Sequence, residues 1–179
     1  FESRTIYPLL AKPITRLHFL CGKLLGTLLA TGIAYLIFMV AFFVGEMEIG
    51  VPLVWGTFLQ MIYLHFLGLA ILGALTLMLS TLMTHSAALT VAFLFFILSE
   101  TITSFIRIYG ENASEWTVRL LLALNYGVPQ LALTDLTAKV VHLWPPVPMW
   151  VLGFWAVDAA IFVALFFAIS FLRFRKREI

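Results

Sequence analysis

Charge is what this sequence has least of. Asp, Glu, Lys and Arg together make up 11% of its 179 residues, against about 25% in an ordinary soluble domain. A chain so short of charged side chains cannot cover a water-facing surface, which excludes a soluble enzyme. Cysteine occurs once, at Cys21, so no disulfide framework exists. With seven prolines and no low-complexity run, neither disorder nor a collagen repeat fits. Catalytic signatures are missing too. There is no His-Glu-x-x-His for a metalloprotease and no Gly-x-Ser-x-Gly nucleophile elbow. Gly22-Lys23 lacks both the upstream glycine and the following hydroxyl of a phosphate-binding loop, so the chain does not hold ATP in that manner.

What is present is apolar. Hydrophobic residues make up 63% of the chain and aromatics 15%, with a mean hydropathy of +1.06. The net charge of +2 does not describe a nucleic-acid surface, because the basic residues stand at the ends of apolar blocks. That is the layout of an integral membrane protein.

A bilayer core about 30 Å thick takes roughly 20 apolar residues at 1.5 Å rise each. No Asp, Glu, Lys or Arg occurs between Lys23 and Glu46, which predicts a first span near 18–44. The run from Ile49 to Ser99 is equally free of charge and long enough for two spans. Its polar stretch from Ser80 to Ser86 marks the break, giving spans near 55–80 and 86–108. Met149 to Leu172, carrying only Asp158, is the fourth. The expected fold is therefore an all-α polytopic membrane helix bundle. Residues 1–16 form an amphipathic surface segment, 17–109 three spans, 110–148 a connection, 149–172 the last span and 173–179 a basic tail. Within the connection, Trp116 to Leu124 and Leu131 to Val141 read as short helices with one apolar face, lying at the membrane surface or dipping into it.

Orientation follows from the basic residues. Arg4, Lys12, Arg16 and Lys23 precede or open the first span, and Arg173, Arg175, Lys176 and Arg177 close the last. These are eight of the eleven Lys and Arg residues, and an even number of spans returns the chain to the side where it began. The positive-inside rule then places both termini in the cytoplasm. Trp55, Trp116, Trp144 and Trp150 fall at the outer interface, where an amphipathic ring is favoured.

Three sets of residues invite a functional reading. In the first 16 residues, Ile6, Leu9, Leu10 and Ile14 share one helical face, while Glu2, Arg4, Thr5, Lys12 and Arg16 lie off it. Such a piece suits a helix flat on the membrane, either as a lipid anchor or as a partner-binding surface. Pro13 is well placed to open the next helix, since a first-turn residue needs no N–H. Gly22, Gly26, Ala30 and Ala34 recur every fourth residue, a stripe that lets two helix backbones approach. Packing against a neighbouring helix of the same chain is its expected use, ahead of a dimer seam. His65, Glu100 and Asp158 are polar or ionisable groups inside spans. A charged side chain at mid-membrane costs about 2.5–3.5 kcal/mol on insertion scales, so each calls for a partner or a polar cavity.

The run Glu-x-Arg-Thr-Ile-x-x-Leu-Leu-Ala-x-Pro-Ile-x-Arg from Glu2 to Arg16, followed by Gly-Lys-Leu-Leu-Gly from Gly22 to Gly26, resembles the membrane permeases of type-2 ATP-binding-cassette exporters. It is most similar to the bacterial six-helix branch that includes the permease linked to multicopper-enzyme maturation. The resemblance implies that Glu2 to Arg16 is a coupling helix docked on a separate ATPase subunit. Glu2, Arg4, Thr5, Lys12 and Arg16 would make polar contacts there, with Ile6, Leu9 and Leu10 in a cleft. The four spans would be helices three to six, in keeping with a chain that opens on Phe1. ATP and Mg would sit on the partner, no cofactor on this chain, and a second copy or a paralogous permease would complete the pathway in a bacterial inner membrane. Two other classes stay open. An intramembrane enzyme acting on lipid or peptide requires His65, Glu100 and Asp158 to converge, and transport assays in vesicles separate a non-transporting assembly or anchor subunit from a permease.

Overall fold

A computed structural model describes residues 15–50, 54–109, 114–117, 119–120, 123, 129 and 131–175. Glu2, Arg4, Thr5, Ile6, Leu9, Leu10 and Lys12 lie outside these residues. Four long helices carry the fold: α1 (Arg16–Ile49), α2 (Trp55–Leu82), α3 (His85–Tyr109) and α5 (Met149–Arg175). A 3-10 turn (Leu131–Thr134) and a short helix α4 (Thr137–Val141) fall between the last two. All four long helices are long and apolar enough to cross a membrane.

Each boundary has a local cause. Helix α1 starts where the Thr15 hydroxyl accepts the N–H of His18, so a side-chain cap and not a proline opens it. It ends at Gly50, whose left-handed φ of 73° lets its N–H return to the Glu46 carbonyl. Arg16 is thus the first residue of α1, and its guanidinium donates to the Arg175 carbonyl at 2.9 Å. Between α2 and α3 stand only Met83 and Thr84, where the polar run predicts the break; Met83 turns fully extended at φ −137° and ψ −179°.

Helix α2 is the hub, packed against α1, α3 and α5. Two clusters fill the interior. One joins Ile71, Ala74, Leu75 and Leu79 of α2 to Ala88 and Ala92 of α3 and to Ala159 and Phe166 of α5. The other gathers Phe58, Met61 and Leu64 of α2 with Leu136 and Val140 from the connection, and Phe42 and Phe43 of α1 rest on it. At the basic end, Phe19 of α1 stacks on Phe174 of α5 with centroids 5.9 Å apart. The first and last helices therefore end side by side. The opposite end is aromatic, with Trp55 against Phe43 and Phe58.

The small-residue stripe behaves differently from its expected use. Gly22, Gly26, Ala30 and Ala34 are all exposed, and a Cβ added at Gly22 or Gly26 meets nothing within 4 Å. Packing within the described chain is not what these residues serve. A period of four says that small residues share a face; it does not say which face meets a neighbour. The glycines that do permit close approach are isolated ones. A Cβ at Gly32 would sit 2.7 Å from the Phe66 ring, and one at Gly68 would sit 2.9 Å from Thr134 Oγ1.

Candidate functional site

The connection after α3 does not stay at the surface. Gly68 lies thirteen residues along α2 from Trp55, about 20 Å at helical rise, and Thr134 of the 3-10 turn packs directly on it. The turn therefore re-enters the bundle from the aromatic end. Leu131 and Thr134 are buried there, and Leu131 joins the larger interior cluster. The short helix read from Leu131 to Val141, at the membrane surface or dipping into it, is in the structure a 3-10 turn and a five-residue helix, parted at Asp135 and Leu136.

Irregular backbone at membrane depth is tolerated only where its polar groups are satisfied by the protein itself. Here three side chains of the spans satisfy them. Ser99 of α3 donates to the Pro129 carbonyl at 2.9 Å and accepts the Leu131 N–H at 3.1 Å. Thr57 of α2 donates to the Trp144 carbonyl at 3.0 Å. Gln60 of α2 accepts the Val147 N–H at 2.7 Å and donates to the Val147 carbonyl at 2.8 Å. Within the segment, the Asp135 carboxylate accepts from the Thr137 N–H at 2.8 Å and from its hydroxyl. Leu143 then takes a left-handed φ of 55° to send the chain back toward Thr57, a conformation uncommon for a residue with a branched side chain.

Beneath the turn lies a cavity of about 490 Å³ between α2, α3 and the connection. Leu72, Phe93 and Phe96 supply apolar wall, and His65, Glu100 and Asp135 bring ionisable groups to it. His65 and Glu100 stand at similar depth. They lie ten residues from Trp55 and nine from Tyr109, about 15 Å from the aromatic end by helical rise. The His65 ring is fixed on three sides. Its Nδ1 is 3.1 Å from the Met61 carbonyl, its face stacks on Tyr35 at 5.5 Å, and its Nε2 lies 3.8 Å from Asp135 Oδ1. No partner for the Glu100 carboxylate occurs among the described residues, and the buried Tyr35 hydroxyl likewise has none.

Two of the three expected intramembrane polar residues thus share one cavity. Asp158, on α5, is not part of its lining. Asp135 was not legible in the sequence as a member of the site, because it sits in the connection and not in a span. Its signal was elsewhere: Gln60 and Ser99 are polar side chains facing inward on otherwise apolar spans and need partners. Among the described residues no group of three or more His, Cys, Asp or Glu side chains is placed to hold a metal ion.

A family model described as ABC-2 family transporter protein matches residues 1–179. No curated protein and no solved structure matches the chain.

Proposed function

Because this chain belongs to the ABC-2 family of transporters and is a membrane-spanning permease subunit, we propose that it exports its cargo on energy from a separate ATPase. The chain has no phosphate-binding loop, so ATP and Mg bind the partner. The amphipathic segment ending at Arg16 is the docking element, with Glu2, Arg4, Thr5, Lys12 and Arg16 in polar contact and Ile6, Leu9 and Leu10 in a cleft. Closure of the ATPases pushes this segment, and the push passes into α1, with which it is continuous in sequence. A second copy or a paralogue faces it across the pathway. The outward small-residue stripe of α1 supports such a neighbour, since close helix contact in lipid favours small side chains. The clustering of basic residues at the end where α1 and α5 meet supports cytoplasmic termini in a bacterial inner membrane.

The observation that carries this reading is the family match along the whole chain. Its test is purification of the tagged full-length protein from its own cells. An ATPase subunit is expected to accompany it, and the double variant Arg4→Glu, Arg16→Glu is expected to bring down less. Intact recovery without an ATPase, and no effect of the charge reversals, overturns the proposal.

A further inference from the structure

We propose that the cavity beneath the re-entrant turn binds an apolar organic cation. Its volume, about 490 Å³, falls within the roughly 300–1,000 Å³ of small-molecule sites, and its walls are largely apolar with a few polar groups, as such sites are built. Two of its polar groups, Glu100 and Asp135, are carboxylates, and among the described residues no Lys or Arg lines the cavity. Glu100 has no partner among the described residues. Asp135 places one oxygen on Thr137. His65 Nδ1 donates to the Met61 carbonyl, and its Nε2 lies 3.8 Å from Asp135 Oδ1, so Glu100 is the carboxylate left open to an occupant.

The occupant follows from that chemistry. An anion would face like charge. An acyl chain would leave Glu100 unpaired in an apolar surround. An inorganic metal ion would need a closer ring of ligands than the described residues form. A cation with its charge spread over an apolar body meets Glu100 and Asp135 with charge, and Phe93 and Phe96 with ring faces or edges, for which a cation has its own attraction. As cargo, this cation rests on the permease reading; as a ligand it does not.

The probe is radiolabelled tetraphenylphosphonium, added to the full-length protein in phosphatidylcholine nanodiscs. Tetraphenylborate, the same shape with the opposite charge, is measured separately. Saturable binding of the phosphonium and none of the borate is expected. Glu100→Gln, and Asp135→Asn (which keeps an acceptor for Thr137), are each expected to weaken binding about tenfold, the loss of one charge-assisted contact. Glu115→Gln, at an exposed ion pair with Arg119, is expected to change nothing. Equal binding of the borate, or unchanged affinity in Glu100→Gln, overturns the proposal. A second measurement leaves the carboxylates intact. In Leu69→Cys on a Cys21→Ser background, the phosphonium is expected to slow maleimide labelling of the cavity thiol, and labelling at an unchanged rate also overturns it. Phosphonium binding without ATPase recovery removes the transport reading and leaves the site; ATPase recovery without binding removes the site alone.

Discussion

Gln60 and Val147 are 87 residues apart in sequence, yet the side-chain amide of one pairs with both backbone groups of the other, at 2.7 and 2.8 Å. The amide stands in for a neighbouring β-strand and lets an extended chain lie against a membrane helix. Gln60→Leu removes both bonds at once. Leaving a buried backbone group unsatisfied costs about 1–3 kcal/mol, and a chain of this length loses about 2–4 °C of melting temperature per kcal/mol. Tryptophan-fluorescence melting in detergent is expected to show that loss. An unchanged melt refutes the strap.

Gly68 and Thr134 give a test of the re-entrant packing. Gly68→Ala places a methyl against Thr134 Oγ1, which is itself bonded to the Leu131 carbonyl at 2.7 Å. Rotating the hydroxyl aside breaks that bond, so the variant is destabilised. Adding Thr134→Ala removes the clash, and the double-mutant cycle is expected to give a coupling of about 0.5–3 kcal/mol. Additivity would mean that the turn does not touch α2 there.

Gly26 and Gly32 lie on the same helix and predict opposite outcomes. Gly26→Leu points into open space, and its monomer is expected to melt within about 0.5 kcal/mol of the parent. Chemical crosslinking is expected to show fewer dimers if a second copy packs on the stripe. Gly32→Leu drives a side chain into the Phe66 ring and is expected to lower the melt by about 1–3 kcal/mol, the usual cost of overpacking.

The stacking of Phe19 on Phe174 predicts that the two chain ends emerge on one side. With Cys21→Ser, the double variant Phe19→Cys, Phe174→Cys is expected to be joined within a single chain by a short bis-maleimide. A membrane-impermeant maleimide is expected to reach these thiols in inverted vesicles and not in right-side-out ones. The reverse pattern inverts the orientation.

The four spans were readable because lipid imposes a one-dimensional rule: about 20 uncharged residues make a span. Even the joint at Met83 and Thr84 showed itself as a short polar run. Glu100 and His65 stood out because ionisable groups are rare inside spans. The path of residues 129–148 did not. It depends on Ser99, Thr57 and Gln60 finding partners 30 to 87 residues away, and no local pattern encodes a pairing of that range. Asp135 was hidden for the same reason. The stripe at Gly22 and Gly26 was misdirected, while Gly32 and Gly68 carry the close contacts as single glycines with no period to mark them.

The two-residue joint at Met83 and Thr84 has a mechanical corollary. With so little slack, any change in the angle between α2 and α3 would pivot at the basic end. His65 and Glu100 sit seventeen and fifteen residues from that pivot, about 25 Å and 22 Å along their helices. A change of about 5° in the angle between the helices therefore moves the two residues apart by about 2 Å. Leverage of this kind turns a slight tilt into a gap on the scale of an atom's width.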